Sequence, residues 1–206
     1  EAPDVTALYQ GTTPRQQKLG RILVITDAAH SIGSTYKGRP NGQFTDATVF
    51  SLHSVKNVTT GEGGAIALNL PAPFDNEEEY TFLKALALNG QNKSAFEKNV
   101  PGAWRYDIID QGLKINMPDL NAAVGLAPIR KYESQLLPDR KRKFELYLDG
   151  FAQYEWAILP PYRDAERESS AHLFLLRIKD ADEARRDRII TAISEAGVGV
   201  NVHYIP

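Results

Sequence analysis

The sequence predicts an α/β fold with strands in a parallel sheet, and three observations carry that prediction. Residues 21–26 are apolar apart from their ends and rich in Ile and Val, which is the composition of a strand buried on both faces. Residues 47–50 form a second short apolar run of the same kind. Towards the other end, residues 172–178, 181–196 and 200–203 read as strand, helix and strand, with Gly197 and Gly199 closing the helix.

In chain order, residues 1–20 are polar and weakly periodic, with Gly11-Thr12-Thr13-Pro14 as a turn signal, and read as a remodelled or disordered remnant. Residues 33–45, with Gly38, Pro40 and Gly42, read as a loop or tight hairpin, and residues 65–68 as a further strand. Residues 76–88 are helical in pattern, with Asn76 as N-cap and Tyr80, Leu83, Leu86 and Ala87 on one side. Residues 89–110 lack periodicity, and Phe96, Trp104 and Tyr106 predict a loop anchored on the body. A helix over 118–132 would bury Leu120, Ala123, Val124 and Ala127, with Met117 stapling its start and Pro128 kinking it. A charged helix over 139–151 places Phe144, Leu148 and Phe151 on one apolar face, and its Arg140-Lys141-Arg142-Lys143 run reads as a solvated face. Pro160-Pro161 marks a boundary, and the junction between two domains is placed near Gly150, giving 1–150 and 151–206.

Composition narrows the function classes. The 206 residues are 42% hydrophobic and 24% charged, as in an ordinary globular protein. A net charge of −2 implies no general attraction to nucleic acid or to an anionic membrane surface. No apolar run approaches the length of a membrane span, and no signal-peptide pattern is present. There is no cysteine, so thiol catalysis is excluded, and a reducing, cytoplasmic setting is expected.

The chemistry concentrates in residues 21–66. Asp27 stands at the carboxyl end of the first strand, where ligands of open α/β sheets bind. Ser51, His53 and Lys56 leave the second strand in a turn that ends at Gly61, Gly63 and Gly64. A lysine among small residues with an acid at a strand end suits pyridoxal phosphate. The lysine forms a Schiff base with the cofactor aldehyde, and the carboxylate keeps the pyridine nitrogen protonated. By spacing alone the alternatives stay open, because an Asp after a strand is often a helix cap and a Lys is usually a solvated charge.

These residues resemble the DegT/StrS family of nucleotide-sugar aminotransferases, which are fold-type-I pyridoxal phosphate enzymes. Asp27-Ala28-Ala29-His30 resembles the family's acid signature, Ser51-Leu52-His53-Ser54-Val55-Lys56-Asn57 its lysine motif, and Thr59-Thr60-Gly61-Glu62-Gly63-Gly64 the turn that follows. Gly112-Leu113-Lys114-Ile115-Asn116-Met117-Pro118-Asp119-Leu120-Asn121-Ala122-Ala123 and Val202-His203-Tyr204-Ile205-Pro206 match in the same order. The resemblance implies a three-layer α/β/α large domain with a mainly parallel sheet, present in part, followed by a small α+β domain. It implies that the chain is a piece of a longer protein whose front would supply a phosphate loop and a ring-stacking residue.

The same resemblance implies the roles. Lys56 carries the cofactor, Asp27 pairs with the pyridine nitrogen, and His30 faces the cofactor. Ser51 binds its phosphate. Lys114 and Asn116 reach the phosphate of the other subunit in a homodimer, while His203 and Tyr204 lie on the substrate side. The implied reaction is ping-pong transfer of an amino group, from glutamate, to a keto sugar on a nucleoside diphosphate. Sibling dehydratases have His where Lys56 stands, which argues against that branch. Thr26, Asn89 and Pro128 depart from the family pattern, and Asn89 bears on the substrate side. Two other classes stay open: a non-catalytic or truncated aminotransferase-like domain, and a hydrolase using Ser51 and His53 with Asp27 or Asp46. No Gly-x-Ser-x-Gly elbow surrounds Ser51, which counts against the hydrolase.

Overall fold

A strand's partners lie in the plane of its sheet, so its faces are covered only by another layer, and that fact governs this molecule. The computed structural model describes residues 9–99 and 101–203. β1 (Ile25–Asp27) is the edge of a three-stranded sheet in the order β1-β4-β5, with β4 at Ala47–Ser51 and β5 at Gly64–Leu68. β1 runs parallel to β4 and β5 antiparallel to it, so the sheet is mixed rather than mainly parallel. The expectation of a strand buried on both faces is corrected as well. Residues 22–25 are exposed, Ile22 by 65%, because the helices nearest this face stand off across a groove instead of closing on it.

What holds β1 in register is polar. The buried carboxylate of Asp46 accepts two hydrogen bonds of 2.6 Å from Arg21 and one of 2.9 Å from the Val24 N–H. The Arg21 guanidinium holds the Asp46 carboxyl below its usual range. With that lock, Asp27 lies opposite Val49, two residues before Ser51.

The Gly11–Pro14 signal turns out to begin a helix, α1 (Pro14–Leu19), and not a remnant. Thr13 and Gln16 form a capping box, Pro14 opens the first turn, and Gly20 closes the helix in the left-handed region at φ 69°. α1 lies along α2 (Asn76–Ala87), where Arg15 meets Glu79 at 2.9 Å and sits over the Phe82 ring. The N-cap of α2 is Asp75, which accepts from Glu77 and Glu78. Asn76, expected in that role, instead exchanges two hydrogen bonds with the backbone of Leu70. The hairpin expected over 33–45 is present as β2 (Thr35–Tyr36) and β3 (Arg39–Pro40).

After α2 comes a short α3 (Ala95–Lys98). The aromatic anchors expected in this segment are exposed, Phe96 by 85%, and two serve as platforms for neighbouring cations, Lys98 over Tyr106 and Arg105 over Trp104. α4 (Asp119–Arg130) also departs from expectation. Its apolar residues Leu120, Ala123, Val124 and Ala127 are exposed, and Gly125 is the buried position. The reason is close approach: a Cβ on Gly125 would stand 2.5 Å from the Thr60 methyl, so the helix meets the glycine turn through its smallest residue. Pro128 falls in the last turn of α4, which gives way to a π-helical turn (Tyr132–Leu136) and then α5 (Leu137–Ala152).

Two apolar clusters follow. Leu52, Val58 and Tyr132 pack with Ile32, Met117, Leu136 and Leu137, so Met117 does pin the start of α4. Phe144, Tyr162 and Ala171 pack with Leu148 and Phe174, as the α5 pattern predicts. Beyond α5 the regular structure is sparse. β6 (Ala157–Ile158) pairs with β8 (Arg177–Ile178), β7 (Arg167–Glu168) extends the β2–β3 hairpin, and α6 spans Glu183–Glu195. The strands expected over 172–178 and 200–203 are therefore corrected to two residues and none. Residues 169–172 are bonded elsewhere, into the wall of the site described next, and lack a partner strand.

Candidate active site

The lysine turn is closed on one carbonyl. Leu52 C=O accepts from the Thr60 N–H at 2.9 Å and from the Thr59 and Thr60 hydroxyls, while the Leu52 N–H donates to Gly63. Asn121 of α4 donates to Thr60 C=O at 2.8 Å from outside. Inside the turn, Asn57 and Val58 are buried, which leaves Lys56 half-buried just before them.

The acid turn lies alongside. Ala28, buried, donates to Val49 C=O at 2.8 Å, and the Asp27 carboxylate accepts from the Ala29 N–H at 3.0 Å. This bend delivers His30, half-buried, towards Lys56. Burial first, then the Lys56 and His203 charges, lower the His30 pKa, while the Asp27 carboxylate acts in the opposite sense. The His30 ring lies 4.5 Å from that of His172 and 5.4 Å from that of His203.

The structure thus brings together Asp27, His30, Lys56 and His203 from the residues expected in the site. Ser51 ends β4 at the same edge, its hydroxyl accepting from the His53 N–H at 3.3 Å. Lys114 and Asn116 are exposed and bonded to one another, and no described hydrogen bond or ion pair links them to this cluster. Tyr204 lies outside the described residues. The hydrolase arrangement is not formed: the His53 imidazole lies 3.5 Å from Glu62 rather than on Ser51, and Asp46 is engaged by Arg21.

Four further residues complete the wall. The Asn57 amide donates to Tyr132 Oη and to Ser170 C=O, both at 3.1 Å, and its carbonyl lies 2.8 Å from His172 Nδ1. Tyr132 donates to Ile32 C=O at 2.7 Å and the Ser170 hydroxyl to His30 C=O at 3.0 Å. In the sequence, Asn57 stands out only as the neighbour of Lys56, and His172 only as the start of an apolar run. Their convergence spans 115 positions and has no local signal.

A half-buried lysine in a glycine-closed turn, next to a turn that carries an acid and a histidine at the carboxyl edge of an α/β sheet, suits an electrophilic carbonyl. The chain belongs to the DegT/DnrJ/EryC1/StrS aminotransferase family, whose profile matches residues 17–206. It is 35% identical to the spore coat polysaccharide biosynthesis protein SpsC of Bacillus subtilis over 90% of this chain and 46% of that protein. Among solved structures it resembles Spr1654 of Streptococcus pneumoniae, described as a sugar aminotransferase, in its PMP-form: TM-score 0.86, 37% identity, 98% of this chain and 50% of that one. A PLP-form of Spr1654 also matches, with TM-score 0.84 and 34% identity over 97% of this chain and 48% of that one. PseC of Helicobacter pylori shares the fold, with TM-score 0.74 and 23% identity over 93% of this chain and 48% of that one. The chain spans about half the length of the relatives it matches.

Proposed function

We propose that this chain supplies the lysine-bearing part of a pyridoxal-phosphate-dependent sugar aminotransferase. The observation that carries the reading is that the turn bearing Asp27 and His30 and the turn bearing Lys56 leave two adjacent parallel strands, β1 and β4, at the same end. Aminotransferases of this family use pyridoxal phosphate, and the donor set fits that group. An amine, a carboxylate at a strand end and a strand-end hydroxyl suit an aldehyde, a pyridine nitrogen and a phosphate in turn.

When bound, the cofactor supplies an electron sink for a substrate carbanion. In this reading Lys56 Nζ would hold the cofactor covalently, and its free amine would move a proton at the substrate carbon. Asp27 keeps the pyridine nitrogen protonated, His30 faces the ring, and Ser51 binds phosphate. His203 and Tyr204 take the substrate side. The proposed substrate is a keto sugar linked to a nucleotide, with glutamate as donor, in the synthesis of polysaccharide precursors. The activity of SpsC's pathway and of Spr1654 supports the sugar. Lys114 and Asn116 serve a neighbour's phosphate in a homodimer, which agrees with their exposure here. Residues 1–150 would form the cofactor-binding part and 151–206 the small domain.

Borohydride reduction of the full-length protein loaded with pyridoxal phosphate, followed by peptide mapping, tests this directly. The label is expected on Lys56. A label on another lysine, or none, overturns the assignment.

A further inference from the structure

The residues around His172 determine its protonation by elimination. Asn57 Nδ2 has two hydrogens, and two acceptors lie within reach, Ser170 C=O and Tyr132 Oη. Tyr132 is available as an acceptor because its own hydrogen goes to Ile32 C=O. The amide orientation of Asn57 is therefore set, and the atom facing His172 Nδ1 at 2.8 Å is the carbonyl oxygen. A carbonyl only accepts, so Nδ1 must carry a hydrogen. Burial first, then the charges of His30, Lys56, Arg140 and His203, pull the His172 pKa down to about 4, which leaves the ring neutral at pH 7.

The same short stretch grips both turns of the site. Ser170 bonds the acid turn at His30 C=O, and His172 bonds the lysine turn at Asn57, the residue that follows Lys56. Ala171 between them adopts a left-handed conformation at φ 54°, which lets Ser170 and His172 diverge towards the two turns. Ser170, Asn57 and Ala171 are buried, so these bonds are shielded from competing water.

We propose that His172 is a positioning residue for Lys56: as the neutral Nδ1–H tautomer it holds Asn57, and through Asn57 it holds the lysine turn in place. The inference rests on the reading of Lys56 as the cofactor lysine. A residue that only filled space could be replaced by an apolar one of similar bulk. A residue that acts through its Nδ1–H could not, but Asn would serve, since its amide nitrogen reaches the position of Nδ1.

The test uses the full-length protein in two measurements. First, side-chain nitrogen NMR of the 15N-labelled protein at pH 7 should show His172 protonated at Nδ1 and bare at Nε2, and Asn57→Leu should abolish that preference. Second, borohydride trapping of pyridoxal phosphate on Lys56 is measured against cofactor concentration. The loss of a buried hydrogen-bond partner predicts that His172→Leu raises the half-saturating concentration about tenfold, and that His172→Asn restores most of it. A protonated Nε2 in the wild type, or equal trapping by the Leu and Asn variants, overturns the proposal. If His172→Leu fails to fold, the wild-type spectrum and the Asn variant still decide. If the wild type traps no cofactor, the proposed function fails, and the tautomer assignment stands or falls on its own spectrum.

Discussion

The wall of the site and the open side of the sheet are finished to different degrees. Around Asn57, Tyr132, Ser170 and His172 the polar atoms described above find partners within this chain, and Val58 beside them is 1% exposed. On the other side, Ile22, Leu23 and Ile25 face a groove of about 560 Å³ bounded by α1 and α2, and the apolar side of α4 is bare among the described residues. The polar network cannot be left half made, because each unsatisfied buried group costs about 1–3 kcal/mol. An apolar face carries no such demand. It is stable in water at the cost of area alone, so it can wait for whatever covers it.

The sharpest way to break the comparison is at Tyr132, which belongs to both the apolar cluster and the polar network. Tyr132→Ala should cost about 3–5 kcal/mol in urea unfolding, since a ring is lost from a core and two polar groups, the Asn57 amide and the Ile32 carbonyl, lose a partner. A loss below about 1 kcal/mol would mean that the wall is no better packed than the open side.

An intermediate effect is expected from pH. The folded pKa of His172 lies below its unfolded value, about 4 against 6.5. Between those values the unfolded chain binds more protons, so stability falls as pH drops from 6.5 towards 4. His172→Asn should flatten part of that slope, with His30, lowered in the same direction, supplying another part. Urea unfolding at a series of pH values measures it, and an unchanged slope would show that His172 is not held neutral.

The smallest effect belongs to the open side. Leu120 is 83% exposed, and Leu120→Ser in this 206-residue chain should change stability by no more than about 0.5 kcal/mol. A loss of about 2 kcal/mol or more, the cost of a buried leucine, would show that a second layer covers α4 in solution.

Local order was legible where local chemistry sets it. The Ile- and Val-rich strands and the 3.6-residue spacing of Phe144 and Leu148 act over a few residues, although the cap of α2 falls on Asp75 and not on Asn76. The Lys56 and Asp27 motifs were legible for the same reason, since each is a continuous run. Burial was misjudged wherever it depended on a neighbour the sequence does not name. Residues 22–25 and the apolar side of α4 have the composition of a core, yet nothing among the described residues closes over them. Residues 172–178 have the composition of a strand but almost no partner.

The sequence by itself determined that this chain is α/β, that Lys56 leaves β4 in a glycine-closed turn, and that Asp27 ends the neighbouring strand. Only the tertiary structure decided which groups stand around that lysine. Asn57, Tyr132 and His172 meet across 75 and 115 positions of chain, and their hydrogen bonds depend on where three separate elements pack. Propensity and periodicity act within a turn or a strand, whereas the tautomer of His172 is set by the last acceptor left on an amide that tertiary packing has already oriented.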